Sequence, residues 1–296
     1  MIYLDEFLQQ ISTSRTDEDV LGRLSRWQFE RRGDQVNAID TLNAQLGYGQ
    51  TDDRRLQPSH LPTTAIGRLD GLVVVSANPG YNADRNGLEN ALRSTSADGN
   101  EAFCKDFFSR YPEVVNSTSK YWTWVLGLWK EAFLEPDDPR HAVRGRALWA
   151  LAHREQWPVG GIDLIPFHSS KDGITARLHE LQDGRWLQLA KATLLMACRI
   201  RSGAAPGHPS KRRIVLVASS RGDAMVREVA SEGGLQPVEM PPDWHAALRM
   251  SVWRALPSVE SPDTLVLSLP FQYITRMPKG FRREHLASAL RDLAAR

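Results

Sequence analysis

Cysteine is nearly absent. Two thiols in 296 residues, Cys104 and Cys198, exclude a disulfide scaffold, a thiolate zinc cage and an iron–sulfur cluster, which all need several ligands at close spacing. Cys198 lies in the apolar run Leu194-Leu195-Met196-Ala197-Cys198 and reads as core. Long apolar runs are missing too: none approaches the about 18 residues of a membrane span. Met1 leads into Ile-Tyr-Leu-Asp-Glu rather than a basic signal segment, so the expectation is a soluble, cytoplasmic chain. Neither charge sign dominates, and a formal net charge of +2 announces no nucleic-acid partner by itself. Neither G-x-x-x-x-G-K-[ST] nor G-x-G-x-x-G occurs, which removes the common nucleotide-binding loops. G-x-S-x-G is absent as well, which removes the nucleophile elbow of serine hydrolases. No clustered His/Asp set suggests a metal, and no cofactor is expected.

What is present divides in two. Leu4, Phe7, Leu8 and Ile11, then Val20, Leu21, Leu24 and Trp27, follow helical spacing, so residues 1–50 read as helices. A polar stretch from Gln50 to Thr64 with two prolines marks a boundary, giving a helical extension and linker over 1–64 and a main domain over 65–296. The main domain alternates short apolar runs with helical segments. Strands are expected at Leu72–Ser76, Gly161–Ile165, Ile214–Ala218 and Thr264–Ser268. Helices are expected at Tyr121–Phe133, Ala142–Glu155, Leu187–Arg199, Arg221–Ser231 and Arg283–Leu293. The fold class is therefore α/β: a three-layer αβα sandwich around a central, mostly parallel four-stranded sheet, with the N-terminal helices added. Parallel strands bring the loops that follow them to one edge, where open α/β sheets bind ligands.

Those loops carry a resemblance. Ser76-Ala77-Asn78-Pro79-Gly80 after the first strand resembles the Gly-x-Asn-Pro-Gly motif of the uracil-DNA glycosylase superfamily. The strand containing Asp163 lies where that family places its base-reading strand. Leu269-Pro270-Phe271-Gln272, continuing to Lys279-Gly280-Phe281-Arg282-Arg283 and a helix, resembles the loop that enters the DNA minor groove. The resemblance covers about residues 65–296. It departs from the family where Leu269-Pro270 replaces the usual His-Pro-Ser opening. His168 is a candidate for the missing charge-stabilising histidine, and is otherwise a plain loop histidine.

The resemblance implies a monofunctional DNA N-glycosylase, in which electrostatics and a positioned water break the C1′–N bond. Asn78 would hold that water. Gly80, where the uracil-specific branch has a tyrosine, leaves room for a C5 substituent, and Tyr81 is displaced by one position. An ionised Asp163 accepts hydrogen bonds but cannot donate them, which favours the N4 amino group of cytosine over the O4 of uracil. Phe167 is the candidate for packing on the flipped base. Phe271 and Gln272 would wedge into the duplex, with Lys279, Arg282 and Arg283 on phosphates. Ser117, Ser219 and Arg221 suit phosphate contacts, although the serines suit helix capping equally well. Lys211, Arg212 and Arg213 flank a strand and read as a solvated or phosphate-facing run. The implied substrate is a C5-modified cytosine, hydroxymethylated or glucosylated as in some phage genomes, and the implied role is antiviral defence. A repair glycosylase for uracil or damaged pyrimidines and a non-catalytic DNA- or partner-binding module remain as alternatives. DNA is the expected partner, no membrane is involved, and residues 1–50 could recruit a protein.

Overall fold

The computed structural model describes residues 2–52, 54–58, 63–65, 69–77, 96–167, 174–200, 213–245, 249–256, 263–270 and 282–295. Seven strands form one mixed sheet in the order β1-β3-β2-β4-β7-β6-β5. They are β1 Thr63–Ala65, β2 Leu72–Ser76, β3 Val159–Asp163, β4 Arg213–Ala218, β5 Leu235–Pro237, β6 Ser251–Ala255 and β7 Thr264–Leu269. The four expected strands are the central block β3-β2-β4-β7, and all of its pairings are parallel. The expected sheet of four is therefore too small: antiparallel β1 extends one side, and β6 with β5 extends the other. These edge strands carry weaker patterns. Two are three residues long, and β6 alternates buried and exposed residues instead of running continuously apolar.

β2 and β4 are β-branched and almost wholly buried, as strands covered on both faces require. β3 ends two residues earlier than expected. Leu164 and Ile165 turn away, yet their N–H groups still donate to the Ser76 and Ala77 carbonyls at 2.9 and 3.0 Å.

Ten α-helices appear among the described residues: α1 Ile2–Thr13, α2 Ser25–Glu30, α3 Arg32–Gln45, α4 Ala97–Lys105, α5 Phe107–Val114, α6 Lys120–Phe133, α7 Gly145–Arg154, α8 Arg185–Arg199, α9 Ser220–Ser231 and α10 Arg283–Ala295. A π-helical turn spans Asp19–Leu24. On one face of the sheet, Val73, Val75, Ile162, Val215 and Val217 share a core with Phe7, Ile11, Leu21, Leu24, Leu189, Leu194 and Val226. On the other face, Leu72, Val74, Val159, Leu216 and Leu267 meet Phe103, Phe108, Leu126, Trp149 and Leu290. The N-terminal helices thus form part of a layer on this sheet, and the division drawn at residue 64 crosses strand β1. Among the described residues no helix is long and apolar enough to cross a membrane.

Candidate functional site

The carboxyl ends of the parallel strands place Ser76, Asp163, Ala218 and Leu269 along one edge. Ser76 is the Cα partner of Asp163 in the β2–β3 ladder, so the tips of these two strands meet. Side chains alternate along strands. Leu72 and Val74 face the α4–α7 and α10 side, as does Val159 of β3, and Ser76 and Asp163 continue that face.

Asp163 is only partly exposed, and among the described residues its carboxyl meets neither a hydrogen-bond donor nor a cation. Burial pushes its pKa up to about 8, because desolvation penalises the charged form and no described residue offsets the penalty. At neutral pH Asp163 is therefore mostly a neutral acid, with one O–H to donate and a carbonyl to accept. The acceptor-only role expected of Asp163 belongs to its ionised form. An acid perturbed by burial, with no partner among the described residues, at the carboxyl edge of an α/β sheet is a candidate functional group.

Two neighbours complete the described part of the edge. Tyr121, in the first turn of α6, places its hydroxyl 2.8 Å from Ser76 Oγ. Its ring packs edge-on against Trp122, with centroids 5.3 Å apart, and Trp122 in turn packs on Phe107 and Phe108. From the sequence, Tyr121 only begins an expected helix and Ser76 has no role of its own. The available signal was the serine standing where the resembled motif has glycine.

Asn78, Gly80, Tyr81, His168, Phe271, Gln272 and Lys279 lie outside the described residues. The other expected contacts find these positions. Phe167 is fully buried, edge-on to Trp186 at 5.6 Å, so it is a core residue here and not an open stacking surface. Arg283 is tied to Glu131 across the α6–α10 contact, with Nε 2.9 Å from Oε2. Its guanidinium covers Gly127 so closely that a Cβ there would collide with it. That pairing, rather than a phosphate, satisfies Arg283. Arg213 is 2% exposed and donates to the Ile200 carbonyl at 2.9 Å, so it does not belong to a solvated basic run. Ser219 caps α9, accepting from the Gly222 N–H at 2.9 Å, which makes its side chain a cap. Ser117 is exposed, and the cap of α6 is Ser119 instead. Arg221 is partly exposed at the start of α9, and Arg282 is exposed just before α10.

Cavities among the described residues point elsewhere. A cleft of about 460 Å³ lies between Gln10, Glu18, Arg23, Arg26, Trp27, Glu30 and Glu101, but its arginines are held by Asp19, Glu101 and Asp98. A space of about 10 Å³ touches Ile162 and Asp163 from the α1 and α8 side, room for one water at most. The chemistry of Asp163 outweighs cleft size, since the larger cleft holds no strongly perturbed group. Among the described residues no group of His, Cys, Asp and Glu is arranged to hold a metal. No family model matches this chain, and neither curated proteins nor solved structures give a match.

Proposed function

We propose that the protein is a DNA glycosylase that extrudes a C5-modified pyrimidine and excises it, leaving an abasic site. Hydroxymethylated or glucosylated cytosine of phage DNA is the favoured substrate, and antiviral defence the role. One observation carries the reading: an acid without a described partner stands beside the strand tip from which Asn78-Pro79-Gly80 departs. Asp163 would face the group at position 4 of the base, and Asn78 would orient the attacking water. Flipping requires a few kcal/mol of unstacking, which Arg282 and the segment after Pro270 would offset through backbone and wedge contacts.

The test is a panel of labelled oligonucleotides bearing uracil, a thymine mismatch, 5-hydroxymethylcytosine and its glucosylated form, each incubated with purified protein and then treated with alkali. Strand breaks at the modified cytosines are the expected result. Intact strands throughout would overturn the enzyme and favour a DNA- or partner-binding module. A second reading, repair of uracil or damaged pyrimidines, draws on the neutral state of Asp163, because a protonated acid can donate to O4. Breaks confined to uracil would select it, and Asp163→Asn should then leave the preference unchanged. Under the favoured reading, the same substitution shifts preference toward 4-oxo bases above about pH 8, where wild-type Asp163 is ionised and can only accept.

A further inference from the structure

We infer that Ser76 is a base-contacting, specificity-determining residue of this site and that Tyr121 is the positioning residue that sets the direction of its hydroxyl. The inference rests on the glycosylase reading and goes beyond it, because the resembled motif, Gly-x-Asn-Pro-Gly, has no side chain at the Ser76 position.

The geometry is local. Ser76 closes β2 directly beside Asp163, and paired strands run about 4.8 Å apart. The serine hydroxyl and the carboxyl therefore stand as neighbours on one face. A ring whose 4-substituent reaches Asp163 comes within reach of Ser76 as well. Tyr121 OH is 2.8 Å from Ser76 Oγ, and either oxygen can be the donor. When tyrosine donates, the serine proton is directed away and Ser76 presents a donor. When serine donates, Ser76 presents only lone pairs. Whichever direction the pair holds, Ser76 presents one polarity to the ring, and that polarity favours one 4-substituent over the other. Tyr121 can impose a direction because its ring is fixed by Trp122 and α6 is anchored by the Ser119 cap. Ser76 on an otherwise apolar strand carries a hydroxyl that β2 does not need for packing.

The experiment compares excision of 5-hydroxymethylcytosine and 5-hydroxymethyluracil, identical except at position 4, by wild type, Ser76→Ala, Tyr121→Phe and the double variant. A reader worth one net hydrogen bond moves the ratio of the two kcat/KM values by about fivefold. Both single variants should move it by that factor in the same direction, and the double variant no further, as coupled groups do. Ser76→Thr keeps the hydroxyl on a strand-compatible residue and should retain the wild-type ratio, which separates reading from folding. Wild-type excision with an unchanged ratio in Ser76→Ala would overturn the inference alone. Strictly additive shifts in the double variant would overturn the role of Tyr121. Excision of neither base by wild type would overturn the glycosylase reading, and the inference with it.

Discussion

Asp223 and Asp163 each lie beside a serine near the carboxyl end of a parallel strand, Ser268 of β7 and Ser76 of β2, at the same edge of one sheet. Asp223, in the first turn of α9, accepts from the Ser268 hydroxyl and from Arg227 Nε at 3.0 Å. It is 7% exposed and its hydrogen-bonding needs are met. Asp163 has no such partners among the described residues, and its serine bonds to Tyr121 instead. The lesson is in the bonding. A buried carboxylate kept for stability is surrounded by donors, whereas one left without them destabilises the fold unless a ligand supplies the missing contacts.

The strongest way to break this comparison is to truncate each aspartate. Asp163→Ala should lower excision by roughly 100-fold, the loss typical of a polar group that meets the substrate in the transition state, while leaving the melting transition unharmed. Asp223→Ala should do the reverse. Stripping the partner from Ser268 and Arg227 should cost about 2 kcal/mol of stability in denaturant titrations, with folded protein still active. Equal stability losses in the two variants would end the distinction.

Asp163→Asn sharpens it through pH. The folded pKa of about 8 lies above the roughly 4 of an unfolded carboxyl. The stability tied to the protonated acid is therefore complete below about pH 4 and drains away as pH rises to about 8. Asp163→Asn should match wild type at acid pH and exceed it by a few kcal/mol above pH 8, less than the full linkage because solvent reaches the side chain. Coincident stability curves across that range would mean that Asp163 is ordinarily solvated.

The parallel block was legible because continuous runs such as Val73-Val74-Val75 and Ile214-Val215-Leu216-Val217 permit little else. The edge strands were not, since three-residue strands such as Thr63–Ala65 hold by pairing and carry no period of their own. α4 and α5 escaped because Pro112 and scattered polar residues blur the repeat across 97–114. Within the site, Asp163 could be named through the resemblance of its strand to a base-reading strand, but its protonation state could not: burial is a property of the surrounding layers. Phe167 failed for the same reason. Its position after Asp163 suggested a ligand wall, while Trp186, on a helix distant in sequence, encloses it.

The smallest effect is the most diagnostic. If Asp163 faces position 4 of the base, its neutral form can donate to a 4-oxo group or accept from a 4-amino group, whereas its ionised form can only accept. The acid form falls about tenfold between pH 6.5 and pH 9 for a group titrating near 8. Excision of 5-hydroxymethyluracil should therefore decline about tenfold over that interval, while excision of 5-hydroxymethylcytosine stays level, so the two pH profiles diverge. Asp163→Asn, which cannot ionise, should bring the profiles back into parallel. Parallel profiles in wild type would place the acid away from position 4, even if both bases are cut. A diverging pair that survives Asp163→Asn would assign the titration to another group. Only divergence abolished by that substitution ties the buried acid, which Asp223 by its full set of partners cannot imitate, to the choice of base.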